Sequence, residues 1–241
     1  MPRFIAEDSF MIRDRFFSTG KAMTRRQVLV VSAATAALGV PGFKWLASPA
    51  LAQKRPPKMA EVPVAELMKP GVLPEMALGN PDAKVKVVEY MSMTCSHCAD
   101  FHNKTFAEIK TKYIDTGKIY FVIREYPLDP LAAAGFMLAR NAPGGKYFEV
   151  VSYLFKTLRE WAFVDNPLSG LRNVSKQFGY SPATFEATLT DQKLLDDLNA
   201  TRKRGADEFG VTGTPTFFIN GTREVGFMSV EEMSAKIDPL L

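Results

Sequence analysis

Val85-Lys86-Val87-Val88-Glu89-Tyr90-Met91-Ser92-Met93-Thr94-Cys95-Ser96-His97-Cys98 sets an apolar run directly ahead of the only two cysteines of the chain. Val85 to Met91 is apolar enough for a buried central strand, and the residues after Cys95 read as the head of a helix. Two thiols separated by two residues at a helix N-terminus can close a small ring on themselves. The positive end of the helix dipole favours a thiolate on the first of them. The arrangement points to thiol-disulfide chemistry, with Cys95 as the candidate nucleophile.

Working outward, Cys98 to Tyr113 has helical spacing, with Phe101, Phe106, Ile109 and Tyr113 on related faces before Gly117. Lys118 to Arg124 follows as a second strong strand. The three elements form a β-α-β unit with a right-handed crossover, and the cysteines sit at the carboxyl end of its first strand, where open parallel sheets place their chemistry. Pro74 to Gly79 reads as a weak edge strand. Beyond Pro127 come consecutive helices, predicted over Leu131–Arg140, Gly145–Ala162, Pro167–Phe178, Pro182–Thr188 and Leu194–Phe209. Tyr147, Val151, Leu154, Leu158 and Trp161 make one apolar stripe, expected to be packing core. Strand signals return at Pro215–Asn220, Asn220-Gly221 is a hairpin turn into Thr222–Phe227, and Ser229 with Glu232 forms a capping box for a final helix. The whole is an α/β chain with a helical insertion, about 128–209, between the second strand of the β-α-β unit and the returning strand.

The 241 residues carry 30 basic and 26 acidic side chains, but the first 52 hold seven of the basic and three of the acidic ones. The remainder is formally neutral, which removes the charge argument for nucleic acid. Thr24-Arg25-Arg26-Gln27-Val28-Leu29 opens an apolar run to Val40, and Ala50-Leu51-Ala52 supplies small residues before Gln53, so residues 1–52 are expected to be a signal peptide. The paired arginines, with Lys44 beyond the apolar run, resemble a twin-arginine signal. An ordinary secretory peptide, an uncleaved anchor and a start at Met11 are the alternatives. Residues 53–74, rich in Lys and Pro at first and with a short helix over Val64–Met68, are expected to be a linker. Residues 75–241 are expected to form the domain.

The C-x-x-C spacing alone also serves zinc, haem and copper. Structural zinc normally needs four ligands, and outside the motif the chain has no further cysteine and one histidine, His102, expected to be structural. Haem attachment needs histidine after the second cysteine, where Ala99 stands. Copper(I) held by two thiolates remains open. A second element favours redox work: Gly213-Thr214-Pro215-Thr216 leads into the returning strand, where proline cannot sit freely. A cis bond before Pro215 would expose the backbone of Thr214 to pair with a substrate segment beside the disulfide, whereas an ordinary trans proline at a strand start is the plain alternative.

On these motifs residues 75–241 resemble the DsbA family within the thioredoxin-like fold. The resemblance implies that Cys95 forms the mixed disulfide, that Cys98 resolves it, and that cis Pro215 and its neighbour Thr214 border a peptide groove. It also marks Glu89, six positions before Cys95, as an acid typical of the family. A buried acid is costly unless it acts, so Glu89 is expected to relay protons to or from Cys98. His97 is expected to donate a hydrogen bond or positive charge toward the Cys95 sulfur and so strengthen the disulfide as an oxidant. Ser96 departs from the proline common in that slot.

The expected function is therefore an exported, periplasmic thiol-disulfide oxidoreductase, a monomer needing no cofactor. It passes its disulfide to reduced, folding exported proteins, and the family implies a membrane quinone-linked reoxidant of the DsbB kind. An isomerase or reductase on the same fold, a Cu(I) chaperone and a non-catalytic folding chaperone are the competing readings.

Overall fold

The structure is a computed structural model and describes residues 61–241. The expected signal peptide and residues 53–60 of the expected linker lie outside the described residues. Five strands form one sheet in the order β1-β3-β2-β4-β5: β1 (Met76–Gly79), β2 (Val85–Met91), β3 (Ile119–Glu125), β4 (Thr216–Ile219) and β5 (Thr222–Val225). Only β2 and β3 run parallel; the other three pairings are antiparallel. The central strand β2 is buried along almost its whole length, as its unbroken apolar run requires.

Alternation along β2 sends Val85, Val87 and Met91 into the larger core and Val88 and Tyr90 into the smaller one on the opposite face. The larger core takes α2 (Ser96–Lys104) and the helical insertion: α4 (Pro130–Arg140), α5 (Tyr147–Lys156), α6 (Leu158–Trp161), α7 (Pro167–Ser175) and α8 (Pro182–Leu189). The stripe Tyr147, Val151, Leu154, Leu158 and Trp161 is buried there. The long α9 (Gln192–Phe209) touches both cores through Leu198 and Phe209, and Gly205 lets it lie against β2, since a Cβ there would stand 2.7 Å from the Tyr90 ring. The last helix, α10 (Val230–Ile237), carries the capping box of Ser229 and Glu232. No helix among the described residues is long and apolar enough to cross a membrane.

Three expectations need correction. The helix predicted over Cys98–Tyr113 is broken: α2 ends at Thr105, whose hydroxyl donates to the Met228 carbonyl at 2.9 Å, and α3 (Phe106–Ile109) runs into a turn of π-helix at Lys110–Ile114. The helix predicted over Gly145–Ala162 begins only at Tyr147, because Gly144 and Gly145 take left-handed φ, and it breaks at Thr157, whose hydroxyl bonds back to the Tyr153 carbonyl at 2.8 Å. The described end of the expected linker is docked on the domain. Val62 and Leu67, the latter at the end of α1 (Val64–Leu67), are buried in the smaller core, and the Val62 N–H donates to the Gly221 carbonyl at 2.9 Å. That seat demands glycine at 221, where φ is +90° and a Cβ would stand 2.0 Å from the Val62 carbonyl oxygen.

Candidate active site

Cys95 is the N-cap of α2. Its sulfur accepts the Cys98 backbone N–H at 3.3 Å, taking up one of the donors a helix start leaves unpaired. One turn into the helix, Cys98 is fully enclosed, while Cys95 keeps 9% of its surface. Both are free thiols in this structure. The loop before them is tied down by Thr94, whose hydroxyl donates to Asp129 at 2.6 Å; Asp129 in turn caps α4.

The Thr214–Pro215 peptide bond is cis, and it brings the Thr214 carbonyl oxygen to 3.3 Å from the Cys95 sulfur. The Thr214 hydroxyl is buried and has no hydrogen-bond partner among the described residues. Hydrogen bonding from the Cys98 thiol, above all, with further help from Thr214 and from the backbone N–H groups of Cys98 and His97, outweighs burial and holds Cys95 down at about 6. Cys98 is pushed the other way, well above the ordinary thiol range. Burial is the main cause, then its hydrogen bond to Cys95 and the nearby charge of Glu89. The pair is therefore asymmetric: a thiolate near the surface and a protonated thiol beneath it.

The other expected site residues fall unevenly around this pair. Ser96 and His97 are exposed on the first turn of α2. Among the described residues the His97 side chain makes no hydrogen bond, and its backbone N–H is one of the groups that lower Cys95. Glu89 is fully buried on the central strand. Sequence reasoning missed its partner: His102, expected to be merely structural, places Nε2 at 3.0 Å from Glu89 Oε2. The signal was available, because Cys98 and His102 stand four apart on one helix and so share a face. A cavity of about 540 Å³ bordered by Tyr90, Arg124, Arg140 and Arg204 lies elsewhere, and neither cysteine lines it.

A buried dithiol at a helix N-terminus beside a cis proline, on a sheet of mixed α/β layers, is the construction of a thioredoxin-like fold. A family profile described as Thioredoxin matches residues 72–239. The chain belongs to this family, in its DsbA-like branch. Among solved structures it is similar to alpha-DsbA1 of Wolbachia pipientis, at 30% identity with a TM-score of 0.67, covering 73% of this chain and 94% of that one. It is also similar to the thiol-disulfide exchange protein alpha-DsbA2 of the same organism, at 26% identity and a TM-score of 0.55, covering 69% and 87%. A protein-disulfide oxidoreductase candidate of Rickettsia bellii is 34% identical over 68% of this chain and 63% of its own length. The chain thus spans somewhat less than two thirds of the curated relatives it matches.

Proposed function

We propose that this protein is a thiol-disulfide oxidoreductase that donates its Cys95–Cys98 disulfide to reduced, folding exported proteins outside the cytoplasm. The observation that carries the reading is the asymmetry of the two thiols, with Cys95 held at about 6 and Cys98 well above the ordinary range. A substrate thiolate attacks the Cys95 sulfur, the Cys95–Cys98 bond breaks, and Cys98 leaves with the electron pair and takes up a proton. A second substrate thiolate then attacks the substrate sulfur of the mixed disulfide, closes the substrate's own disulfide and expels Cys95, which leaves readily because its thiolate is stabilised. Stabilising that thiolate favours the reduced protein and so strengthens the disulfide as an oxidant. Thr214 and cis Pro215 offer backbone to the substrate segment beside the sulfur.

The apolar run after Arg25-Arg26 supports export by a twin-arginine type of signal, residues 1–52 being that signal. The DsbA-like branch supports a periplasmic setting and a quinone-linked membrane reoxidant of the DsbB kind, with the protein acting as a monomer. The test is the reduction potential of the couple, by equilibration with glutathione buffers. A value near about −120 mV is expected; one near about −270 mV would make the protein a reductant, and the isomerase or reductase reading would replace this one.

A further inference from the structure

Glu89 has no contact with solvent. Its side chain is 0% exposed, and Oε1 is buried without a hydrogen-bond partner among the described residues. An ionised carboxylate in that position is expensive unless a positive charge or a proton accompanies it. His102 is the group in contact with it, Nε2 to Oε2 at 3.0 Å, and its side chain keeps 3% of its surface. The imidazole is held by aromatic rings: it stacks on Phe155, with ring centres 4.7 Å apart and planes 25° apart, and Phe101 and Phe106 flank it at 5.4 and 5.0 Å. Cys98 lies on the same face of α2, one turn earlier.

We propose that His102 is a positioning residue for disulfide exchange: Glu89 and His102 hold one proton in common beneath the cysteines, and His102 is the port through which that buried store exchanges with water. The inference rests on the exchange chemistry proposed above. When substrate attack breaks the Cys95–Cys98 bond, Cys98 is released as a thiolate in a fully enclosed site. The pair passes its proton to that sulfur, Cys98 becomes a thiol, and the pair is left with one negative charge. The charge moves from sulfur to carboxylate and none is created, so no new ion is buried. The pair refills through His102, whose side chain keeps 3% of its surface exposed where that of Glu89 keeps none. In the reverse direction the Cys98 thiol gives its proton to the pair, attacks the Cys95 sulfur of the mixed disulfide, and the substrate thiolate departs. The charge of Glu89 already acts at Cys98, as the third cause of its raised titration after burial and the Cys95 hydrogen bond.

Few other ionisable groups share this space. From α2 come Cys95 and Cys98. From α5 comes Tyr147, which feels the Glu89 charge and donates to Glu125 Oε1 at 2.9 Å. Glu125, at the end of β3, is itself paired with Arg140 at 2.7 Å. From β4 the residue opposite Glu89 is Phe217. Tyr147, Glu125 and Arg140 satisfy one another, which leaves His102 as the partner of Glu89.

The test measures the rate of exchange with glutathione against pH for the full chain, its His102→Gln, His102→Phe and Glu89→Gln variants, the Glu89→Gln/His102→Gln double variant, and Cys95→Ser as the inactive control. Gln preserves a hydrogen bond without carrying the proton, and Phe preserves the aromatic packing. Each single variant is expected to change the shape of the pH profile and to slow exchange roughly tenfold or more near neutrality, and the double variant is expected to be no slower than the worse single one. A wild-type profile in His102→Gln, rescue by His102→Phe, or additive losses in the double variant would overturn the proposal. If the variants do not fold, the ¹⁵N shifts of the His102 imidazole in the wild-type protein decide. They are expected to differ between the disulfide and dithiol forms, and identical shifts would overturn the shared proton. If the wild-type protein exchanges no disulfide at all, the function proposed above falls and this inference with it; exchange in the wild type with an unchanged His102→Gln sinks this inference alone.

Discussion

Cys98→Ala removes the donor that contributes most to the Cys95 thiolate while leaving the backbone N–H groups of the helix start in place. A hydrogen bond to a charged acceptor is worth about 1.5–3 kcal/mol, and each pH unit of titration is about 1.4 kcal/mol. Cys95, now at about 6, is therefore expected to titrate one to two pH units higher in Cys98→Ala. At pH 6 the thiolate fraction should drop from roughly one half to between about a tenth and a hundredth. Ultraviolet thiolate absorbance reads this directly, since no other cysteine remains. The same asymmetry bears on how the reduced protein responds to pH. Because Cys95 titrates below its ordinary 9.0 in the folded state, its own contribution to stability is fully present above pH 9 and is lost as pH falls through 6. The disulfide form has no titrating Cys95 and should lack this dependence. An unchanged titration in Cys98→Ala would refute the reasoning and leave the thiolate to Thr214 and the backbone N–H groups of the helix start.

Thr214→Val deletes a buried hydroxyl that has no normal hydrogen bond to another group, so the fold should tolerate it, while Cys95 titrates higher and the equilibrium constant with glutathione shifts toward the disulfide by up to about tenfold; an unchanged constant would remove Thr214 from the redox machinery. Leu67→Ala should lower stability to urea by about 2–5 kcal/mol, because Leu67 is fully buried against the sheet. No change would mean that the segment before residue 75 is a free linker after all.

The parts of the fold legible in the sequence are those set by short-range pattern. The apolar run of β2, the thiols at a helix start, the Asn220-Gly221 turn and the Ser229 capping box each state their geometry within a few residues. Helix breaks were not legible. Thr105 and Thr157 sit inside unbroken apolar periodicity, and each ends its helix by a hydrogen bond, that of Thr105 reaching a loop far along the chain. The docking of Val62 and Leu67 was hidden for the same reason, since a Pro-rich segment shows no period and its partners, Tyr90 and Phe218 among them, come from separate strands. In the site, Cys95, Cys98 and Pro215 were readable from residue type and spacing. The part that the His97 backbone N–H plays at Cys95 was not legible, since every residue type but proline carries that group.

The geometry of one helix start accounts for why two chemically identical residues behave differently. Position N-cap leaves a side chain at the mouth of the helix, where unpaired N–H groups point at it; a residue three positions on is already turned into the core. Substrate access thus falls on Cys95 and protection on Cys98, and the Cys98 thiol, Thr214 and Glu89 add to the difference that the helix start begins. The same enclosure leaves Cys98 without solvent to supply or remove its proton when it leaves or attacks. A buried acid next to it would otherwise be a pure cost on the central strand. On the proposal made above, Glu89 keeps a proton for that sulfur, and His102, one helical turn beyond Cys98 and 3.0 Å from the Glu89 carboxylate, is the less enclosed of the two groups that share it.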